Sequence, residues 1–511
     1  MKSRLFSSRH FSYGHLAGAL IAGLALRLFF ILHFPFYAGD TKFYEELARN
    51  WFYHGVYGLF VNGQLLPVDM RMPGYPAFLA AIYRIFGDSR MAVMLMQAAV
   101  DLGTCVLAAV IASILAVRLL PASQSKLVGN CALWIAALCP FTADYSAAIL
   151  TEVIATFLTT LTILVLVVVF SDPSVNVPVS ELSNKALFAR AGWWLLGGAL
   201  VGVTTLVRPE APLLLLAAGI ALVLRWRRRP DWPNLTLAGL SMAVGLLLLL
   251  APWAARNAIT LGRIQFLAPR YAESYGDFIP RGFFAWTQTW MVRFSDSYLV
   301  PWKLGNEPIL VESLPASAFD SDSERAKAAE LLARYNNDLK MPPALDREFA
   351  ALAAQRTARH PFRTYVSIPL ERAWITWFTP RMELLPYSAG ISPVNKKDPD
   401  GEAGVAVTIG YIFLNLILLG FAIAGIWKAR GHPAWLFLIL FFLIRTAAVT
   451  QLQTVEPRYV IECFPVLLAF AGLSLGYMLS LFFMQQAGLD VRAELLEGIA
   501  GHPSGEPFQG S

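Results

Sequence analysis

Six stretches of this chain place acidic, basic or phenolic residues where an apolar run begins or ends. Asp40 stands in "YAGDTKFYEELARN", directly after the first run. Asp69, Arg71 and Tyr75 follow in "LPVDMRMPGYPAFLAAIYRIFG". Asp144, Tyr145 and Glu152 lie in "PFTADYSAAILTE", Arg208 and Glu210 in "TTLVRPEAP", and Arg256 in "APWAARN". "TVEPRYVIECFP" adds Glu456, Arg458, Tyr459 and Glu462. These residue types suit one kind of chemistry. A carboxylate takes a proton from an attacking hydroxyl, and guanidinium forks hold a phosphate in two-pronged fashion.

The apolar runs between these stretches must position them. Of 511 residues, 56% are hydrophobic and 15% charged, against about 25% charged in an ordinary soluble protein. Runs at about 15–36, 91–117, 127–142, 148–170, 191–207, 210–224, 235–255, 404–427, 433–452 and 459–484 read as ten membrane-crossing helices. Those at 127–142 and 210–224 are short. The first run lacks a small-residue cleavage site, so it reads as a retained anchor helix.

Basic residues set the expected orientation. Lys2, Arg4 and Arg9 precede the first run. Arg118 with Lys126, Lys185 with Arg190, Arg225 with Arg227, Arg228 and Arg229, and Lys428 with Arg430 fill alternate short loops. The positive-inside rule makes that face cytoplasmic, together with both termini, and the six polar stretches extracytoplasmic. The expected organisation is an N-terminal membrane module over 1–255 with a first outer loop at 37–90. A large outer loop region follows over 256–403, then C-terminal helices over 404–484 and a cytoplasmic tail over 485–511. The net charge of +6 reflects basic residues beside apolar runs, a bilayer bias and not a nucleic-acid footprint. Four cysteines show neither zinc-site nor disulfide spacing, and seven histidines show no HExxH pattern.

Location then narrows the chemistry. Nucleotide-activated donors stay in the cytoplasm, so a transferase facing outward needs a donor carried across on a lipid. A polyprenyl-phosphate sugar meets that need: arginines hold its phosphate while a carboxylate deprotonates the acceptor, and one direct displacement inverts the anomeric centre. The different class left open is a polytopic transporter or lipid flippase. It would show related halves and midplane binding groups, whereas here no internal symmetry is evident and the charges gather at one surface.

The stretches "GDTKFYEELARN", "RMPGYPAFLAAIYRIFG", "ILTEVIATFL", "LVRPEAPLLLL", "APWAARNAITLGRI", "HPFRTYVSIPLERAWITWF" and "EPRYVIECFPVLLAFAG" run in order over about residues 15–480. In that order they resemble the GT-C superfamily of polyprenyl-phosphate-dependent glycosyltransferases, in its protein O-mannosyltransferase-like and lipid A aminoarabinose transferase-like branch. The resemblance implies an all-α polytopic bundle of about 10–13 helices with interfacial helices in its outer loops. It implies a lipid-phosphate sugar donor, and an extracytoplasmic acceptor that is a glycolipid, a polysaccharide or a protein. Asp40 corresponds to the first-loop aspartate, base or orienter of the acceptor. Asp69 looks like the second acidic residue of that loop, which binds a divalent metal in some members, so Asp40 and Asp69 become candidate metal ligands. Arg208 and Tyr459, with Arg458 beside it, match positions near the lipid phosphate. Asp144 matches an acidic residue of the loop between the third and fourth helices. Arg71, Tyr75, Glu210 and Arg256 complete the expected binding set.

Plainer roles stand beside these. Asp40 is well placed to cap a helix from Thr41. Arg208 and Arg458 can snorkel to headgroups. Glu152 and Glu462 are expected to hold helices together, Glu462 by pairing with Arg458 four residues earlier. Arg27 and Asp101 fall near mid-bilayer in the first two runs and are expected to pair, because unpaired charge there is costly. Trp193, Trp194, Trp286, Trp290, Trp374 and Trp377 are expected in an interfacial belt.

Overall fold

A computed structural model describes residues 10–37, 39–117, 119–120, 122–226, 231–269, 278–386 and 401–486. The tail beyond 486, the N-terminal basic residues, Arg118 and the Arg227–Arg229 cluster lie outside the described residues.

The chain is an α-helical polytopic membrane protein. Seven described helices are long and apolar enough to cross a bilayer: Tyr13–His33, Arg90–Ala116, Glu152–Ser171, Asn184–Thr205, Trp232–Leu261, Gly404–Gly431 and Pro457–Gln486. The pair Gln124–Ala137 and Pro140–Ala147 is long and apolar enough only when taken together and is bent by 55° at its break, and Leu213–Arg225 and Trp435–Val449 are shorter apolar helices. Together they occupy the ten expected runs. The two short runs are explained locally. Pro140 has no amide hydrogen to continue the helix before it, and Pro212 starts the helix at Leu213. At 1.5 Å per residue, Leu213–Arg225 is only about 20 Å long, less than a hydrocarbon core.

Helix boundaries follow their caps. The Ser89 hydroxyl accepts from the Ala92 amide at the start of Arg90–Ala116. The Asp231 carboxylate accepts from the Asn234 amide ahead of Trp232–Leu261, which ends at Gly262 in the left-handed conformation, φ 68°. The helices Asn184–Thr205 and Trp232–Leu261 cross in close contact. A methyl group on Gly198 would lie 2.0 Å from the Met242 carbonyl oxygen, so only glycine permits that approach.

Arg27 and Asp101 pair as expected, at 2.5 and 2.9 Å. The Arg27 guanidinium also donates to the carbonyls of Gly23 and Ala137, which leaves a buried charge fully engaged.

The segment between the first two spans holds the helix Gly39–His54 and a two-stranded hairpin, Gly58–Val61 with Gln64–Pro67. Its turn is Asn62-Gly63, both with positive φ, the two-residue loop that matches strand twist. The region after Trp232–Leu261 has a core of its own. Phe283, Trp286, Trp290, Leu331, Tyr335 and Phe349 meet there beneath the helices Asp322–Asn336 and Pro343–Arg359. Trp286 and Trp290 are therefore core residues and not interfacial ones, and Trp194 is buried within the bundle. Their rings find dry aromatic partners, Phe283 and Phe349 for Trp286 and Phe170 for Trp194. Trp374 is exposed, on the 11-residue helix Ile368–Phe378 that follows a π-helical turn at Arg363–Ser367. That helix is too short to cross a bilayer.

Candidate active site

The polar stretches do converge. Asp40 follows the first span; Glu152 opens the fourth; Arg208 and Glu210 connect the fifth and sixth; Arg445 ends the ninth; Arg458 opens the tenth. Chain direction alternates from span to span, so all five places lie at one end of the bundle. There they line a cavity of about 470 Å³ with Arg71, Tyr44 and Tyr459, within the size range of small-molecule sites.

Backbone contacts bring these loops together. The Phe36 amide donates to the Ala147 carbonyl, and Thr41 donates its hydroxyl to the Ile149 carbonyl. Asp40 is thereby held against the start of the fourth span. The Gly74 amide donates to the Leu206 carbonyl at 2.6 Å, where a methyl group on Gly74 would collide with that same oxygen. This contact sets Arg71 beside Arg208. Gln97 joins both layers, accepting from the Tyr75 hydroxyl at 2.7 Å and donating to the Ala148 carbonyl at 2.8 Å.

Asp40 is the second residue of its helix and does not cap it. Its Oδ1 accepts from Arg71 Nη2 at 3.0 Å and its Oδ2 from Arg458 Nη2 at 3.5 Å. Burial pushes the carboxyl pKa up, but Arg71 and then Arg458 outweigh it and hold Asp40 below the usual aspartate range. The phenol of Tyr44, one turn along the same helix, is pushed up to about 12 by burial and by the charge of Asp40. It stays protonated and available as a donor.

Arg208 and Arg445 complete the cavity, and Arg458 has further partners. Arg208 pairs with Glu152 at 2.6 Å and Glu210 at 3.3 Å. Arg445 pairs with Glu462 at 2.8 Å and Glu210 at 3.2 Å. Arg458 reaches Glu456 at 2.5 Å and Glu152 at 3.6 Å, and Glu456 also accepts from the Tyr459 hydroxyl at 2.6 Å. Glu462 does not pair with Arg458. Residues 457–463 form a 3₁₀ helix, which makes a full turn every three residues, so the fourth residue on faces elsewhere.

Four expected site residues do not line the cavity. Asp69 turns away and pairs with Arg263 at 2.6 Å. Arg256 donates to the carbonyls of Val68 and Tyr57, a brace for the hairpin segment. Tyr75 lies one layer behind, its ring edge-on to Tyr44 at 5.1 Å. Asp144 is buried beside Tyr145, whose hydroxyl donates to Glu383. Arg445 was not expected, because it sits inside a run read only as apolar. A lone arginine in such a run is itself a signal, since charge is costly there unless it is used.

The donor set does not fit a divalent metal. Asp40 and Asp69 each face arginine, and among the described residues no group of three or more His, Cys, Asp or Glu could hold an ion.

No family model matches the chain, and no curated protein matches it. Among solved structures, an archaeal oligosaccharyltransferase from Archaeoglobus fulgidus, in complex with an inhibitory peptide and a dolichol-phosphate, is 12% identical over 96% of this chain and 52% of its own, with a TM-score of 0.47. Its complex with Zn and sulfate gives 12%, 96%, 51% and 0.45. ArnT from Cupriavidus metallidurans bound to undecaprenyl phosphate is 16% identical over 91% of this chain and 78% of its own, at 0.40. The chain thus spans about half the length of the oligosaccharyltransferase, and at these values the likeness carries nothing about individual residues or substrates.

Proposed function

We propose that the chain is an inverting glycosyltransferase. It moves a sugar from a polyprenyl-phosphate donor to a hydroxyl or phosphate of an extracytoplasmic acceptor, a glycolipid, polysaccharide or protein. One observation carries this reading: the part-exposed carboxylate of Asp40, held by Arg71 and Arg458, shares a cavity at the end of a membrane bundle with Arg208 and Arg445. The carrier class follows from the sequence resemblance.

In this reading the carrier's tail stays in the bilayer and its phosphate meets the arginines. Asp40 accepts a hydrogen bond from the acceptor hydroxyl and orients it toward the anomeric carbon. A carboxylate held this low is a weak base toward a free alcohol. Once the new C–O bond forms, however, the attacking oxygen carries positive charge and its proton passes readily to Asp40. The old bond to the phosphate oxygen breaks, and the arginines stabilise the released lipid phosphate. In this reading the cavity faces the extracytoplasmic side, which the positive-inside rule supports: Lys126, Lys185, Arg190, Lys428 and Arg430 lie at or near helix ends on the other side of the bundle.

The test compares surface glycans of cells with the wild-type chain, without it, and with Asp40→Asn at equal membrane levels. One substituent should disappear in the last two. Identical glycans in all three would overturn the proposal.

A further inference from the structure

Within the cavity, Arg208 and Arg445 share an uneven set of partners. Behind each stands a short, buried ion pair: Arg208 with Glu152 at 2.6 Å and Arg445 with Glu462 at 2.8 Å. On the cavity side both reach the same atom, Oε1 of Glu210, at 3.3 and 3.2 Å. The side chain of Glu210 is 29% exposed, against 1% for Glu152 and 2% for Glu462. It is the loosest and most accessible of the three carboxylates. Its backbone is fixed by the prolines at 209 and 212 and by the Leu213 amide, which donates to the Glu210 carbonyl. The side chain can therefore swing without unfolding the turn.

An anion entering this cavity meets the N–H groups of Arg208 and Arg445 where Glu210 now sits. Two anions cannot share that seat without repulsion at close range. We propose that Glu210 is a displaceable internal anion. Its carboxylate holds the place on Arg208 and Arg445 that the donor's phosphate takes over, and Arg445 is a phosphate-binding residue. The two guanidinium groups then stay paired whether the cavity is loaded or empty, and the return of Glu210 helps to expel the spent lipid phosphate. This rests on the glycosyltransferase reading above and deepens it.

The experiment measures binding of undecaprenyl phosphate, and of inorganic phosphate as the headgroup alone, to the full chain in nanodiscs. Glu210→Gln keeps the shape and removes the competing charge. It should bind the lipid phosphate about tenfold more tightly than wild type. Arg445→Met should bind about tenfold more weakly, and the double variant should be no tighter than Arg445→Met alone. Unchanged or weaker binding by Glu210→Gln, with wild type binding normally, overturns the displacement and leaves the glycosyltransferase reading standing. If wild type binds neither probe, both fall. Should Glu210→Gln not yield a monodisperse protein, Glu210→Ala decides by the same criterion.

Discussion

Two arginine–aspartate pairs in this molecule have the same chemistry and opposite character. Arg27 and Asp101 meet inside the bundle, 0% and 3% exposed, and the spare donors of Arg27 are taken up by backbone carbonyls. Asp40 meets Arg71 and Arg458 at the cavity wall, 30% exposed, and its longer contact is 3.5 Å. The first pair is closed to any ligand and serves as a lock between helices. The second is held loosely enough for its partners to be shared with something that enters. Burial and complete satisfaction, not the identity of the residues, separate a closed structural ion pair from one that a ligand can reach.

The comparison breaks most visibly at Asp40. Asp40→Asn should lower sugar transfer by about 10²–10⁴-fold while leaving thermal stability in detergent unchanged. Transfer at a wild-type rate would deny Asp40 its role. At the lock, removing one partner should act on folding instead. Asp101→Asn or Arg27→Met should cost about 3–5 kcal/mol, read as loss of folded protein by size-exclusion chromatography. The exchange Arg27→Asp with Asp101→Arg should recover part of what either single reversal loses, and a double variant no better than the singles would refute the lock.

The third test sharpens the comparison through pH. Because Asp40 titrates below the ordinary value of 3.8, it stays ionised as pH falls, and transfer fails only once the proton is taken up at that lower pH. Arg71→Gln removes the strongest charge opposing burial, so the acid limb of the rate should move upward in pH. An unmoved limb would mean that Arg71 does not set the charge state of Asp40. The smallest effect belongs to an exposed pair in the same outer segment. Arg49 and Asp88 meet at 2.6 Å, closer than either partner of Asp40, yet both are more than a third exposed. Asp88→Asn should change stability by under about 1 kcal/mol and leave transfer unaltered. A large loss there would show that distance outweighs exposure.

The spans and their ends were readable because apolar length has a direct physical requirement in a bilayer. Arg27 and Asp101 were readable for a related reason: two charges at one depth in adjacent helices have few alternatives to each other. Other features were present in the sequence but are local signals weaker than hydropathy. The turn at Asn62-Gly63 marks a hairpin, and Arg445 marks a charge inside an apolar run. The pairing of Glu462 depended on a 3₁₀ helix in place of an α-helix. Asp69 and Arg256 have suitable chemistry, but Arg263 and the carbonyls of Val68 and Tyr57 claim them. Only contacts between distant segments decide such competition.

By itself the sequence determined that this chain has apolar runs of membrane-crossing length and that most of its ionisable residues lie between them, because hydrophobic length and charge exclusion act on every segment separately. Tertiary structure decided which of those residues share a cavity. It turned Asp40, Glu210 and Arg445 inward and Asp69 and Arg256 aside, since an ion pair forms with whichever partner packing brings within about 4 Å, and packing is a property of the whole chain.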